Sequence, residues 1–529
     1  MTLLSVRDLS VTIHDAPILS DVSFDLAEGE IFGLVGESGS GKSMTALALM
    51  QLLPHGARAS GAARMAGTDL LGLAERRMCG IRGREIGLIF QEPMTALNPM
   101  KTIGDQVAET LVIHGAASRR KALAVARERL DRVGLLEARF PLDRFPHELS
   151  GGQRQRVCIA MAVALRPKLL IADEPTTALD VTTQAQILEL LKGLVAEEKM
   201  ALMLITHDLA VVAGMAHHVA VMQRGRIVET GRTETLFRTR AHDYTRRLFA
   251  ASDHAPSRHP TATARPLLEV TGAVRDYPLP RTRPFGPHPV FHAVKGVGFT
   301  LHEGESLGLV GESGCGKSTL ARAILGLDLL QGGHIRLAGE EVRAGHHMHR
   351  SMRAKMQAVF QDPYGSFNPR WKVQRLIAEP LHLLPEPPPD PKALVAATLA
   401  DVGLSPADAQ KYIHEFSGGQ RQRIAIARAL ILRPKLIVLD EAVSALDVRV
   451  RAQVLDLLAD LQARHGLAYL FISHDLGVVR AITDRVLVMQ AGEIVETGAT
   501  ASVFDAPAHD YTKRLVAATP RLPAEWGHG

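Results

Sequence analysis

The sequence predicts an α/β protein built from two similar domains in tandem, and two kinds of observation support this fold class. First, six short motifs occur once in each half, among them GESGSGKS at 36–43 with GESGCGKS at 311–318, and LSGGQRQR at 149–156 with FSGGQRQR at 416–423. Second, short apolar runs such as IFGLV, LLIA and LMLIT alternate with longer helical patterns such as TTQAQILELLKGL. Such runs are typical of buried parallel strands, and their alternation with helices is typical of an α/β fold.

The spacing of equivalent motifs locates the domain boundaries. Equivalent residues stand 264 positions apart at the opening strand, 275 apart at the glycine-rich motif and 267 apart from LSGGQRQR onwards. The second half therefore carries 11 additional residues, which we place in the proline-containing stretch 276–290 and predict to be an irregular loop. The stretch 252–266, rich in Pro, Ala, Ser and Thr, has the composition of a linker. We predict domains at 1–251 and 267–529, and a linker reaching about 50 Å when extended, which lets the domains face each other.

Composition excludes several classes of protein. The net charge is only +5, which is weak support for nucleic-acid binding, and no apolar run reaches the length of a spanning helix. The N-terminus lacks a signal pattern, so we expect a soluble chain that needs partner chains for any work at a membrane. The three cysteines, Cys79, Cys158 and Cys315, are too far apart for a zinc or iron–sulfur spacing and fit a reducing compartment.

The glycine-rich motifs at 36–43 and 311–318, here called the phosphate loops, have the pattern G-x-x-x-x-G-K-S. Glycines let the backbone wrap phosphates, and the following helix points its positive end at them. Lys42 and Lys317 are expected to reach the β- and γ-phosphates, and Ser43 and Ser318 to ligate Mg²⁺. The remaining expected nucleotide-binding residues are Gly36, Glu37, Ser38, Gly39, Ser40, Gly41, Gly311, Glu312, Ser313, Gly314, Cys315 and Gly316. A positive loop should also favour the thiolate of Cys315, which predicts a thiol-sensitive second site.

Two more repeated motifs complete the nucleotide chemistry. An apolar strand ends at Asp173-Glu174 and, in the second half, at Asp440-Glu441. The aspartates are placed to hold Mg²⁺ and the glutamates to polarise the attacking water. The SGGQ motifs offer a serine hydroxyl and glycine amides at a helix start, which is a second phosphate-binding surface. This surface would be redundant unless it served the nucleotide of the other domain; its residues are Ser150, Gly151, Gly152, Gln153, Ser417, Gly418, Gly419 and Gln420.

The ordered set of phosphate loop, glutamine loop, SGGQ, DE, ALD and terminal histidine resembles the nucleotide-binding domain of ATP-binding cassette (ABC) proteins, over both halves. The resemblance implies a RecA-like α/β core, an antiparallel β subdomain and a helical subdomain in each half. It also implies two ATP sites, each formed by one half's phosphate loop and the other half's SGGQ. In this family Gln91 and Gln361 would sense the γ-phosphate and Mg²⁺, and His207 and His474 would hold the γ-phosphate. Asp180 and Asp447 of the ALD motifs would communicate across the sandwich.

The chain departs from the family pattern at a few positions. The aromatic residue that stacks on adenine is missing from the first half, where Ile13 or His14 stands, whereas Tyr277 fills that role in the second. Phe416 replaces a leucine before the second SGGQ, and Ala442 replaces the proline seen at Pro175. Both catalytic glutamates are present, so we expect both sites to hydrolyse ATP.

The motif details resemble the peptide-importer branch of the family, including its fused two-domain members. Each half ends in a tail with HDYT, at 242–245 and 509–512, where the branch normally reads HPYT. The resemblance implies two integral-membrane permeases, a substrate-binding protein, ATP and Mg²⁺, and a peripheral location on the cytoplasmic face of the inner membrane. The two segments after the glutamine loops differ, which suggests two different permeases. No iron–sulfur cluster is expected, because the last cysteine is Cys315.

Other functions remain open at this point. A tandem ATPase acting on the ribosome would carry a long charged linker, and a DNA-repair ATPase would carry zinc cysteine pairs or long coiled coils. An exporter is disfavoured by the importer-like tails. The substrate cannot be chosen from the motor motifs, since dipeptide, oligopeptide, glutathione, nickel and opine systems share them.

Overall fold

The computed structural model describes residues 1–177, 179–258, 262–279, 281, 288–362, 365–444 and 446–526, with the backbone alone at Met94 and Ala524. Parts of the predicted linker and of the predicted loop at 276–290 lie outside these residues. Apart from the short helix Pro93–Ala96 of the first half, the described strands and α-helices follow the same order in both halves. No described helix is long and apolar enough to cross a membrane.

The first half contains ten strands and ten helices within the described residues. Its strands are β1 (Thr2–Ile13), β2 (Ala16–Ala27), β3 (Ile31–Val35), β4 (Ala57–Met65), β5 (Thr68–Asp69), β6 (Ile86–Ile89), β7 (Leu169–Asp173), β8 (Ala201–Thr206), β9 (His218–Gln223) and β10 (Arg226–Arg232). Its helices are α1 (Lys42–Leu49), α2 (Glu75–Ile81), α3 (Pro93–Ala96), α4 (Ile103–Ile113), α5 (Arg119–Arg132), α6 (Gly151–Ala162), α7 (Val181–Glu198), α8 (Leu209–Met215), α9 (Thr233–Thr239) and α10 (Asp243–Ser252).

The second half has ten strands and nine α-helices among the described residues, in the same order except that α3 has no counterpart there. The strands are β11 (Pro266–Pro278), β12 (Val290–His302), β13 (Ser306–Val310), β14 (Gly332–Leu337), β15 (Glu340–Glu341), β16 (Met356–Val359), β17 (Leu436–Asp440), β18 (Ala468–Ile472), β19 (Arg485–Gln490) and β20 (Glu493–Ala499). The helices are α11 (Lys317–Ile324), α12 (Arg350–Lys355), α13 (Val373–Ala378), α14 (Pro391–Asp401), α15 (Gly418–Leu430), α16 (Val448–His465), α17 (Leu476–Ile482), α18 (Thr500–Asp505) and α19 (Asp510–Ala518).

Each half has one mainly parallel sheet and one antiparallel sheet. In the first half the six-stranded sheet has the order β10-β9-β3-β8-β7-β6, parallel except for β10, and the four-stranded sheet has the order β2-β1-β4-β5. The second half has the same two orders, β20-β19-β13-β18-β17-β16 and β12-β11-β14-β15. The predicted α/β class and the repeat are therefore confirmed.

The mainly parallel sheet of each half is covered on both faces. Alternate residues of β3 face opposite cores: Ile31 and Val35 pack with α4 to α10, whereas Phe32 and Leu34 pack with α1 and the antiparallel sheet. All five residues of β3 are buried, which explains why its sequence is continuously apolar rather than alternating. The helices α4, α5 and α6 pack on one another and form the helical part between β6 and β7.

One prediction about the inserted stretch 276–290 was partly wrong. Its first residues do not leave the sheet, because Asp276, Tyr277 and Pro278 extend β11 and pair with His292, Phe291 and Val290 of β12. The strand tolerates Pro278 because it is the last residue of β11 and lies beyond the pairing with β14, so no amide is needed there.

The segments that follow each half's last long helix cross to the other half. After α10, His254 lies 2.7 Å from Asp456 of α16, and Arg258 lies 3.0 Å from Asp484. After α19, the ring of Trp526 packs edge-on against Phe237 of α9, with ring centroids 6.0 Å apart. In addition, α10 packs on α16 and α19 packs on α7. The two halves therefore hold each other by reciprocal contacts.

Candidate functional site

The motif residues meet where four neighbouring parallel strands end. The first phosphate loop follows β3, His207 follows β8, Asp173 ends β7 and Gln91 follows β6. Because β3, β8, β7 and β6 are adjacent and parallel, their carboxyl ends share one edge of the sheet, where α/β proteins bind ligands. The second half brings its phosphate loop, His474, Asp440 and Gln361 to the same edge.

The phosphate loops have room only for glycine at their first position. A Cβ on Gly36 would lie 2.2 Å from the carbonyl oxygen of Met222, and one on Gly311 would lie 2.1 Å from that of Met489. Gly41 has a φ of 104° and immediately precedes α1, so it turns the chain from the loop into the helix. The loop is thus a tight backbone turn that leads directly into the N-terminus of the helix. Phosphate binds at such a helix N-terminus, because its N–H groups and dipole favour an anion.

The lysines of the two loops are held in the same way. The ammonium of Lys42 donates to the carbonyl oxygens of Gly36 and Glu37 at 2.8 and 2.9 Å. The ammonium of Lys317 donates to those of Gly311 and Glu312 at 2.7 and 2.8 Å. Burial lowers the pKa of Lys42, and the nearby carboxylates of Glu174 and Asp173 oppose this effect. Each lysine is therefore already positioned over its own loop.

The expectation that Cys315 is an activated thiol was wrong. The residue is only 6% exposed, and this burial raises the pKa of its thiol despite the ammonium of Lys317 at 3.8 Å. The positive charge of the loop is outweighed because the thiolate would lose its hydration. Cys315 acts as a small apolar residue under the loop, where Ser40 stands in the first half.

Asp173 and Asp440 fit the requirements of a cation site. Burial raises the pKa of Asp173 to about 6, the neighbouring Glu174 adds to the rise, and a hydrogen bond from Ser43 opposes it. Burial likewise raises the pKa of Asp440, which is hydrogen-bonded by Ser318. In both aspartates Oδ1 is buried without a hydrogen-bond partner among the described residues. An ionised carboxylate in such a place needs a positive partner, and a hard divalent cation would supply one.

Glu174 is held in a strained and strongly hydrogen-bonded position. Its φ is 47°, in the left-handed region that non-glycine residues rarely adopt, and its N–H donates to Ile205 of β8 at 2.8 Å. Its carboxylate accepts from Gln91 at 2.9 Å and from Thr177 at 2.9 Å, and it lies 3.3 Å from Nδ1 of His207. Burial favours the neutral acid, but the histidine and Thr177 outweigh it and lower the pKa of Glu174 to about 2.

Glu441 occupies the equivalent position, with fewer hydrogen-bond partners among the residues that the structure describes. Its φ is 52°, and Nδ1 of His474 lies 3.2 Å from Oε1. Burial opposes ionisation, yet His474 lowers the pKa of this carboxyl. Ser444, the equivalent of Thr177, donates to the backbone oxygen of Glu441 rather than to the carboxylate. The exposed Gln361 makes no hydrogen bond to Glu441 comparable to that of Gln91, so the two sites share a plan but differ in detail.

The SGGQ motifs begin α6 and α15 as capping boxes. The Ser150 hydroxyl accepts from the Gln153 N–H, and the Gln153 side chain accepts from the Ser150 N–H at 2.9 Å. Ser417 and Gln420 repeat this arrangement. In each half the second glycine allows close packing, because a Cβ on Gly152 would lie 2.3 Å from Thr183 of α7. Ser150 and Ser417 themselves are exposed, with helix N-termini directly behind them.

The ALD aspartates lie at the junction between the halves. Asp180 caps α7, and its carboxylate also accepts from the Ser313 N–H of the second phosphate loop at 3.3 Å. Two residues further on, Thr182 donates to Oε1 of Glu312 at 2.8 Å. In the opposite direction, Arg449 of α16 pairs with Glu37 of the first phosphate loop at 3.0 Å. The helix after each ALD motif therefore contacts the other half's phosphate loop.

Tyr277, expected to stack on adenine, is engaged by protein groups. The guanidinium of Arg275 lies 4.4 Å from the ring centroid, and the hydroxyl donates to Asp328 at 3.1 Å. In the first half Ile13 ends β1 and His14 follows it, so neither position carries a Tyr, Phe or Trp. The stacking role of Tyr277 stays a prediction.

Comparison with known families decides the class of protein. The family model described as ABC transporter matches residues 19–177 and 294–444, once in each half. The chain belongs to the ABC transporter family. A second model, described as the oligopeptide/dipeptide transporter C-terminal region, matches residues 495–529. This ABC protein is thus an ATP-binding, ATP-hydrolysing chain with two ABC units.

Relatives of this ABC protein extend over almost the whole chain. It is 48% identical to the peptidoglycan transport ATP-binding protein YejF of Agrobacterium fabrum, over 99% of this chain and 97% of the relative. It is 47% identical to the glutathione import ATP-binding protein GsiA of Escherichia coli, over 94% and 86%. A solved structure, cbiO1 from Clostridium perfringens, aligns with a TM-score of 0.41 at 26% identity, over 46% of this chain and 92% of that chain. Both relatives are named as ATP-binding proteins of transport systems, and the second is named as an import protein.

Several residues of this site were missed by the motif analysis. Thr177 contacts the carboxylate of Glu174, and Thr182 and Arg449 contact the opposite phosphate loops. Thr182 and Arg449 stand at the same place in the repeat, 267 positions apart. Their chemistry differs, so no shared motif marks them; their fixed distance after each ALD was the available signal.

Proposed function

We propose that the chain binds two ATP molecules between its halves and uses their hydrolysis to drive import of peptides or peptide-like molecules through membrane permeases. The observation that carries this proposal is the reciprocal contact between each phosphate loop and the helix after the opposite ALD motif. Such contacts favour closure of the two halves on each other, with the SGGQ of one half facing the phosphate loop of the other.

Each proposed site combines residues from both halves. Site one would join Lys42, Ser43, Gln91, Asp173, Glu174 and His207 to Ser417, Gly418, Gly419 and Gln420. Site two would join Lys317, Ser318, Gln361, Asp440, Glu441 and His474 to Ser150, Gly151, Gly152 and Gln153. The phosphate loops and helix N-termini supply amides and positive dipoles to the polyphosphate, and the lysines leave their carbonyl partners to reach it.

Glu174 is suited to accept a proton from the attacking water. Its carboxylate is ionised at neutral pH, as a base must be, and Gln91, Thr177 and His207 fix its orientation. Glu441 with His474 would do the same in site two. Mg²⁺ bound by the serine and aspartate of each site would neutralise phosphate charge. The histidines would hold the γ-phosphate and position the water.

Importer ATPases of this family act on membrane permeases that receive substrate from a binding protein. We infer two permeases, one on each half, because the segments after the glutamine loops differ: MTALNPMKTIGDQV in the first half and YGSFNPRWKVQRLI in the second. The chain would then lie at the cytoplasmic face of the membrane, held there by the permeases. The tail match and the peptidoglycan and glutathione relatives favour short peptides or peptide-like molecules as substrate.

The test is to purify the chain from membranes with whatever binds it, identify the copurifying proteins, and measure ATP hydrolysis with a peptide-loaded binding protein. We expect two different permeases and stimulation by the loaded binding protein. A chain that copurifies with ribosomes, lacks permeases and ignores peptide would overturn the proposal.

A further inference from the structure

The HDYT motif of the first half builds a fixed turn before α10. The carboxylate of Glu229, on β10, accepts from the N–H groups of Ala241 and His242 at 2.9 and 3.2 Å and from the hydroxyl of Thr245. His242 caps the helix, because its Nδ1 accepts from the N–H of Tyr244 at 3.1 Å. Two of the motif residues, His242 and Thr245, thus help to place Tyr244.

The second half repeats the glutamate and histidine contacts of this construction. Glu496 of β20 accepts from the N–H groups of Ala508 and His509 at 2.8 and 3.0 Å, and Nδ1 of His509 accepts from the N–H of Tyr511 at 3.2 Å. Asp243 and Asp510 precede the tyrosines and are exposed. The exposed aspartates explain why this position tolerates a change from the usual proline, while the buried residues around it are kept in both copies.

The two tyrosines reach the phosphate loops. Tyr244 is fully buried, and its hydroxyl accepts from the N–H of Glu37 at 3.1 Å. Tyr511 is 2% exposed, and its hydroxyl accepts from the N–H of Glu312 at 2.8 Å. Each tail therefore touches its own half's phosphate loop at the loop's second residue.

The contact acts on the peptide group that anchors the lysine. The peptide between Gly36 and Glu37 is planar, so its carbonyl and its N–H point in opposite directions. The carbonyl accepts from Lys42 at 2.8 Å, and the N–H donates to Tyr244. Because Gly36 has no Cβ, no side chain at Gly36 restrains this peptide from rotating, and rotation would break the bond from Lys42 to the Gly36 carbonyl. The tyrosine hydroxyl opposes that rotation from the other end.

Glu37 is also held from the opposite half. Its carboxylate pairs with Arg449 on α16, and α16 packs on α10, the helix that carries Tyr244. The same residue is thus fixed at its backbone by the tail and at its side chain by the other half. Glu312 is fixed by Tyr511 and Thr182 in the same manner.

We propose that Tyr244 and Tyr511 are positioning residues for ATP binding, which lock the first peptide of each phosphate loop and connect the importer-type tail to the nucleotide site. The inference rests on the proposed function only in that each phosphate loop binds one ATP. It gives the HDYT motif a role inside the ATPase cycle rather than at the surface of the tail.

The test is equilibrium binding of radiolabelled ATP to the full chain in EDTA, where hydrolysis is prevented. Lys317→Ala should leave one binding site, formed by the first phosphate loop, and Tyr244→Phe in that background should weaken it about fivefold, as loss of one hydrogen bond predicts. Lys42→Ala should leave the second site, which Tyr511→Phe should weaken and Tyr244→Phe should not. The matched control is Tyr469→Phe, which removes another buried hydroxyl, bonded to Leu458, far from either loop.

The outcomes separate the two proposals. If the lysine variants still bind two ATP molecules, the proposal that Lys42 and Lys317 are needed to bind ATP fails. The inference about the tyrosines would still predict that Tyr244→Phe weakens one of the two sites. An unchanged Kd in the tyrosine variants, or equal weakening of both sites, would overturn the inference, as would an effect from Tyr469→Phe of the same size. If neither tyrosine variant folds, hydrogen exchange in the native chain decides, since the amides of Glu37 and Glu312 should exchange slowly without nucleotide and fast exchange would overturn the inference.

Discussion

Arg449 of the second half forms an ion pair with Glu37 of the first phosphate loop, with Nη1 3.0 Å from Oε1. At the equivalent position Thr182 makes a neutral donor contact to Glu312 at 2.8 Å. The two contacts thus occupy equivalent positions in the repeat, but one is an ion pair and the other has an uncharged donor. This difference gives each junction its own dependence on salt, because only a charged pair is screened by mobile ions.

We expect Arg449→Ala to raise the KM for ATP at low salt by no more than about fivefold, because partly exposed ion pairs contribute about 0.2–1 kcal/mol. The increase should disappear near 1 M salt, where the pair is screened in the parent protein as well. Thr182→Val is the matched control, and its effect should be independent of salt. ATP hydrolysis measured across a salt series checks both, and a salt-independent effect of Arg449→Ala would contradict the ion pair.

The two halves should close on each other within one chain. After replacement of the native cysteines Cys79, Cys158 and Cys315 by serine, we expect a bifunctional thiol crosslinker to join the cysteines of Glu37→Cys and Arg449→Cys, because the ends of the parent side chains meet and a spacer is needed to replace their length. A non-reducing gel should show a monomer of altered mobility at every protein concentration. A covalent dimer as the main product would mean that the halves pair between chains.

Both glutamates should be needed for full turnover. Glu174→Gln and Glu441→Gln each replace the proton-accepting carboxylate by an amide of the same shape. General-base catalysis contributes about 10²–10⁴-fold to the reaction rate. We expect each single change to reduce steady-state ATP hydrolysis by about half or more, and the double change to reduce it about 10²-fold or more. A single variant with unchanged turnover would show that its site binds ATP without hydrolysing it.

The hydroxyls of Thr177 and Ser444, each three residues after a catalytic glutamate, should contribute unequally to kcat. Thr177 donates to the Glu174 carboxylate at 2.9 Å, whereas Ser444 donates to the backbone oxygen of Glu441 at 2.9 Å. Thr177→Val, with Glu441→Gln to silence site two, should lower kcat about fivefold with little change in KM. Ser444→Ala with Glu174→Gln should lower kcat less. Equal losses of kcat in these two double variants would show that the two hydroxyls do not differ in their effect on hydrolysis.

Thiol labelling should be confined to one cysteine in the folded chain. Cys79 is exposed, whereas burial raises the pKa of Cys158 to about 12 and also raises that of Cys315. Since the thiolate is the reactive form, labelling at Cys158 should stay slow between pH 7 and 9. We expect one fast thiol in native protein, none after Cys79→Ser, and two in that variant after denaturation. Rapid inactivation of Cys79→Ser by a thiol reagent, with protection by ATP, would contradict this.

The sequence was sufficient for the sheet and for most residues at its edge, because glycine turns, buried strands and acidic strand ends leave local patterns. Contacts that depend on distant parts of the chain left no such pattern. The hydroxyl of Tyr244 meets Glu37 only after α10 folds back over the first phosphate loop. The pKa of Cys315 was predicted in the wrong direction. The sequence shows the nearby positive charge of Lys317, but the burial that raises the pKa comes from core residues distant in the chain.

The crossing segments described above, with Trp526 on the first half and His254 on the second, have a genetic consequence. Tethered domains meet at an effective concentration of about millimolar, far above that of separate chains in a cell. A half is therefore not exchanged for the same half of another copy. When a variant with inactive ATP sites is expressed beside the parent gene, both ATP sites of any one transporter should come from the same chain. Each transporter should therefore carry either two parent sites or two variant sites. The variant then reduces the number of working transporters by competing for permeases, and hybrids with one site from each allele should not form.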